Sequence, residues 1–202
     1  MRIVSRKDIR SALITGLTTG ILAWQVFLYL GRPAIAGISL QWLVLIVPVL
    51  WIVGVQFGYF LGQWLPFFTQ FGRFAAVGFA NAAVDFGVFN FLFALSHESD
   101  TLFPVLNVLS FSVAVTHSYF WNKYWVFQSG ATGGAKEFTK FIAVNIIAIL
   151  INTGIAFLIF HFGHVIFQGQ DKLWANMGKV AGTAIALLFT FTGSRLIVFK
   201  KY

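Results

Sequence analysis

The chain has 202 residues, 58% of them hydrophobic and only 10% charged, with a formal net charge of +8. A soluble domain carries about 25% charged residues, so this chain has too little polar surface to cover itself in water, and lipid must be its outer solvent. The basic excess does not point to nucleic acid, because the charges sit in short segments between apolar runs, and the lack of cysteine excludes disulfide frameworks and thiolate metal sites.

A helix needs about 20 predominantly apolar residues to cross the hydrocarbon core. The basic segment MRIVSRKDIR leads into a first such run at 11–31. No small-residue cleavage site ends that run, so it reads as a retained span rather than a signal peptide. Gly31-Arg32-Pro33 breaks the chain before a second run at 38–62, which Pro48 is expected to kink locally. Pro66 lies in the next break, and further runs follow at 74–95, 102–121, 139–162 and 174–194. The fold class is an all-α membrane protein with six transmembrane helices. A five-span alternative lays 11–31 in the interface.

Orientation follows from the positions of Lys and Arg. With the N-terminus inside, the inner segments hold Arg2, Arg6, Lys7, Arg10, Arg73, Lys123, Lys136, Lys140, Arg195, Lys200 and Lys201. The outer loops hold Arg32 and Lys172, with the acids Glu98, Asp100 and Asp171 beside them. Both termini are therefore expected in the cytoplasm, with the protein in the cytoplasmic membrane.

The last 130 or so residues carry an internal similarity. SYFWNKYWVF (118–127) matches TFTGSRLIVF (190–199), pairing Asn122 with Ser194, Lys123 with Arg195 and Phe127 with Phe199. RFAAVGFANAAVDF (73–86) aligns with KFIAVNIIAILINT (140–153), pairing Arg73 with Lys140 and Asp85 with Asn152. The last four helices then form two parallel two-helix repeats, an arrangement known among transporters.

The strings VGFANAAVD (77–85), NKYWVF (122–127) and SRLIVF (194–199) resemble the GtrA-like family over about residues 70–202. The resemblance implies a four-span module at 67–202, associated with lipid-linked sugars carried on polyisoprenyl (undecaprenyl-type) phosphate. Such proteins are thought to move these lipids across the membrane or to partner their synthases. Residues 1–66 lie outside the resemblance and read as two additional spans. The second half departs from the first where Ser194 stands opposite Asn122.

Ionisable groups inside a bilayer usually face the bundle interior and have partners. Asp85 and Lys179 are expected to meet, as part of a substrate-binding path or as a static ion pair that only fixes packing, unless Lys179 snorkels outward; their repeat counterparts Asn152 and Asn107 are candidates for the same path. Gly78, Asn81 and Asp85 share one helix face, as do Asn107, Ser110, Ala114 and His117, a pattern serving either helix packing or a polar cavity. Lys123 and Arg195, at matching helix ends, either anchor the topology or capture a lipid phosphate. Asn122 and Trp125 flank Lys123, and Trp125 serves as an interfacial anchor or packs on a sugar face. His161 and His164 are spaced for a shared ligand, but further ligands are lacking, so no metal or other cofactor is expected. Nothing resembles a nucleophilic triad, a phosphate-cradling loop or a paired-carboxylate hydrolase, so an enzyme is not expected.

The function expected is translocation of a polyisoprenyl-phosphate-linked monosaccharide for glycosylation of a cell-surface polysaccharide. Two alternatives remain open: a non-transporting anchor for a glycosyltransferase, and a small-solute exporter. The expected partners are the sugar lipid, the bilayer, a glycosyltransferase and further copies of the chain, not nucleic acid.

Overall fold

The computed structural model describes residues 4–96, 102–130, 134–166 and 171–199. The helices are α1 (Arg6–Tyr29), α2 (Leu43–Leu61), α3 (Phe67–Leu95), α4 (Phe103–Trp121), α5 (Gly134–Ile166) and α6 (Asp171–Gly193). Five helical segments are long and apolar enough to cross a membrane, those of α1, α2, α3, α5 and α6. The remaining helix, α4, has 19 residues. Its hydropathy is diluted by Asn107, Ser110, Ser112, Thr116, His117 and Ser118. The protein is a multi-pass helical membrane protein.

Helix α1 is built inside out relative to a helix of a soluble bundle, whereas α3 buries Phe74, Ala76, Val77, Ala80 and Val84. The buried residues of α1 are Asp8, Ser11, Ala12, Thr15, Gly16, Thr19 and Gly20, a polar and small stripe at helical spacing. Ile9, Leu13, Ile14, Ile21 and Leu28 of the same helix are exposed. Lipid gives no reason to hide an isobutyl group, so small residues take the contacts and bring backbones together. The hydroxyls on this stripe bond back along the helix, Thr15 to the Ser11 carbonyl and Thr19 to the Thr15 carbonyl, both at 2.8 Å.

Two compact units share the chain, Met1–Gln128 and Ser129–Tyr202. In the first, α1 packs on α2 and α3, α2 on α3, and α3 on α4. A Cβ on Gly20 would lie 2.4 Å from the Leu43 carbonyl oxygen, and one on Gly16 would lie 2.6 Å from the Pro48 Cα. Pro48 is thus buried at the α1–α2 crossing, inside a helix that runs through it. In the second unit α5 packs on α6, and Gly182 lies so close to α5 that a Cβ would be 2.5 Å from the Asn152 carbonyl oxygen.

The break after α1 is tighter than the sequence suggested. Gly31, at φ 66°, donates to the Leu28 carbonyl while Arg32 donates to that of Phe27, the paired bonds of a Schellman end. A short hairpin follows, pairing Ala34–Ile35 with Ile38–Ser39 through Ala36 and Gly37, both at positive φ. A 3-10 turn, Leu40–Trp42, then leads into α2, so this helix begins at Leu43 rather than at 38. At their other ends, α3 and α5 reach 29 and 33 residues, each starting upstream of its expected span.

Both α4 and α6 finish in a five-residue π-helical turn, Asn122–Val126 and Ser194–Val198. Each is closed by the same bond, Phe127 N–H to the Asn122 carbonyl and Phe199 N–H to the Ser194 carbonyl, at 2.8 Å in both. These are the segments whose sequences match.

Candidate functional site

The first unit gathers a polar cluster where α1 begins, α2 ends, α3 begins and α4 ends. Its centre is Asp8, only 1% exposed. Ser5 caps α1 by accepting from the Asp8 N–H at 3.1 Å, and its hydroxyl donates to Asp8 Oδ2 at 2.5 Å. The Tyr59 hydroxyl donates to Oδ2 at 2.7 Å, and Arg73 Nη2 donates to it at 3.2 Å. Arg73 Nε stands 2.8 Å from Oδ1, close enough for strong attraction but not aligned as a hydrogen bond. Trp125 Nε1 donates to Oδ1 at 2.9 Å. Arg73 also donates to the Tyr59 oxygen and lies 5.3 Å from the centre of its ring. Both carboxylate oxygens are therefore saturated by groups from four helices, which is what a carboxylate removed from water needs.

Trp125 lies on the π-helical turn, buried with Asn122, Lys123 and Val126. This turn ends the helix, so its last carbonyls have no partner ahead in the helix, and neighbours supply the donors. Lys7 Nζ donates to the Tyr124 carbonyl at 3.0 Å, and Gln70 Nε2 donates to that of Val126 at 3.3 Å. Trp125, 1% exposed, is an internal donor, unlike the interfacial anchor or sugar-stacking surface suggested by its sequence neighbours.

A second polar region lies farther along the α3–α4 pair. Ser110, fully buried, donates to Asp85 Oδ1 at 2.7 Å. Asn81 Oδ1 and His117 Nδ1 are buried without hydrogen-bond partners, as is Asn122 Oδ1 at the end of α4. Buried polar atoms usually have partners, so such orphans mark places where water or a ligand belongs. The neighbouring small residues divide by role: Ser110 and Ala114 are enclosed between helices, while Gly78 faces open space.

The other sequence candidates are scattered. Asn107 is exposed. Lys123 is 3% exposed, and its Nζ donates to the Tyr119 hydroxyl at 3.2 Å, whereas its counterpart Arg195 is exposed. Asn122 donates to the Ser118 carbonyl at 2.8 Å. Asn152, in the second unit, donates to Thr183 Oγ1 at 3.2 Å across the α5–α6 contact. The side chains of Lys179 and His164 lie outside the described residues, and with the first of them the expected Asp85–Lys179 pairing. Among the described residues no three His, Asp or Glu side chains gather as a metal site.

The sequence reading passed over Asp8, Tyr59 and Arg73 as parts of this site. A signal for Asp8 was present: Ser5-Arg6-Lys7-Asp8 is a capping pattern that starts the helix at Arg6 instead of 11, and one acid stands among four bases. Tyr59 carries no comparable local signal. An apolar groove of about 370 Å³ lies between α2 and α3, lined by residues such as Leu50, Gly54, Phe57, Phe68, Phe71 and Phe79.

Comparison with known proteins narrows what this arrangement belongs to. Residues 73–199 match the family described as GtrA/DPMS, transmembrane domain. That segment begins at Arg73 and contains Trp125, and leaves Asp8 and Tyr59 outside. The chain is also 34% identical to the uncharacterized membrane protein YngA of Bacillus subtilis (strain 168), over 130 residues covering 63% of this chain and 78% of that protein. No solved structure matches. From Arg73 through the second π-helical turn, the chain belongs to the GtrA/DPMS transmembrane family.

Proposed function

We propose that the protein translocates a polyisoprenyl-phosphate-linked monosaccharide across the cytoplasmic membrane, with both termini in the cytoplasm. Family membership supports the substrate class. The observation that carries the reading is the pair of orphaned buried atoms, Asn81 Oδ1 and His117 Nδ1, on the α3–α4 pair beside Asp85 and Ser110. A sugar headgroup is a dense set of hydroxyl donors and acceptors whose transfer through bare hydrocarbon costs several kcal/mol for each unpaired group. A helix pair with unspent acceptors lowers that cost while the polyisoprenyl chain stays in lipid. On this reading the chain performs no bond chemistry of its own, and the sugar serves a glycosyltransferase on the far side.

The test is leaflet exchange of a labelled polyisoprenyl-phosphate sugar in liposomes containing only the purified protein. Exchange is expected without any glycosyltransferase. Asn81→Leu and His117→Leu should slow it while leaving the melting temperature unchanged or higher, because the orphaned atoms have no protein partner to lose. If folded wild-type protein gives no exchange, the reading fails, and a non-transporting partner of a glycosyltransferase takes its place.

A further inference from the structure

We infer that Arg73, Tyr59 and Trp125 form a binding site for a phosphate group, and that the chain's own Asp8 carboxylate fills this site in the present structure. The donors are those an oxyanion receptor uses: a guanidinium, an indole N–H and a phenol, converging on two carboxylate oxygens at 2.7–3.2 Å. A phosphate ester presents the same kind of oxygens in greater number.

Two features separate this from a fixed latch. Two of the three receptor groups, Arg73 and Trp125, belong to the family segment, whereas Asp8, like Tyr59, precedes it. The plug also sits on the first turn of the first helix, held there by Ser5, so its withdrawal needs movement of only one helix end. Arg6, Lys7 and Arg10, all exposed around it, concentrate anions at the same place. The site does not depend on translocation: a phosphate-bearing ligand would bind here whether or not the protein moves it.

Removing the plug should leave a receptor that an added anion can fill. In dodecyl maltoside, Asp8→Ala should lower the melting temperature, and dodecyl phosphate should restore it in a concentration-dependent way. Dodecanol, which lacks the charge, should not. Rescue by inorganic phosphate as well would identify a site open to water-borne phosphate, and rescue by dodecyl phosphate alone would identify a lipid headgroup site. Trp125→Phe in the Asp8→Ala background should weaken the rescue about tenfold, equivalent to one lost charge-assisted bond of about 1.4 kcal/mol. A second measurement leaves Asp8 in place. The chain has no cysteine, so Val4→Cys provides one buried reporter beside the plug. Its maleimide labelling should quicken several-fold with dodecyl phosphate and not with dodecanol. Absence of anion rescue in folded Asp8→Ala protein would overturn the proposal. Where that variant does not fold, an unchanged Val4→Cys labelling rate would do so.

Discussion

Asp8 shows how a charge survives burial beside lipid. Its two oxygens take hydrogen bonds from Ser5, Tyr59, Arg73 and Trp125, and its charge is matched by the guanidinium. Breaking such a pair from one side leaves an uncompensated ion, typically at a cost of about 3–5 kcal/mol. Arg73→Gln should therefore lower stability by about that much, measured by thermal or denaturant unfolding in micelles. Tyr59→Phe removes one donor and leaves the ion pair, so its cost should be smaller, about 1–3 kcal/mol. Lys7→Ala removes an exposed contact to a carbonyl and should change stability by less than about 0.5 kcal/mol. Equal losses for Arg73→Gln and Lys7→Ala would show that the cluster contributes no more than a surface contact.

Helix α1 illustrates what a lipid solvent does to an element. Its contact stripe is readable in the sequence as Ser11, Ala12, Thr15, Gly16, Thr19 and Gly20, once small residues rather than large ones are taken as the buried face. Gly20→Val should separate α1 from α2, because the added carbons fall on the Leu43 backbone, where nothing flexible can yield. Gly78→Ala, facing open space, should be tolerated. Cysteine cross-linking between α1 and α2 checks both outcomes: it should fail in the first variant and persist in the second. The sequence also showed where the helices break, because Gly31 and Pro66 act through local backbone geometry. It did not show the start of α2, since Ile38 to Trp42 is apolar enough to extend a span while its backbone is committed to a hairpin and a 3-10 turn. The site was less legible for the same reason. Asp85 and His117 stand out as polar residues in apolar runs, but the partnership of Asp8 with Trp125 joins residues 117 positions apart, and no periodicity carries that information.

For the whole molecule, the distribution of Lys and Arg makes the first topological prediction. Single cysteines at Ala34, Glu98 and Gly169 should label from outside, and those at Gly133 and Tyr202 only after the membrane is opened. External labelling at Gly133 would remove the six-span topology. The division of the chain after Gln128 adds a point that family boundaries alone would miss. The residues before the family segment are packed into the first compact unit, so a chain trimmed to 73–199 would lose α1 and α2 as neighbours of α3. Such a trimmed chain should express poorly and unfold at lower temperature than the full chain, even though every family residue is present.

The same separation along the chain has a consequence for biogenesis. Asp8 leaves the ribosome before its long-range partners, since Tyr59 follows 51 residues later, Arg73 65 residues later and Trp125 117 residues later. At about 5–20 residues per second, the last bond to the carboxylate is delayed by on the order of ten seconds. During that interval the first helix carries an acid whose partners are still being synthesised, and the insertion machinery must hold it near the aqueous interface. Closure then proceeds in the order of translation, first tyrosine, then arginine, then tryptophan. Nascent chains stalled just before Trp125 should therefore leave the N-terminal helix open to modification, and chains released a few residues later should not.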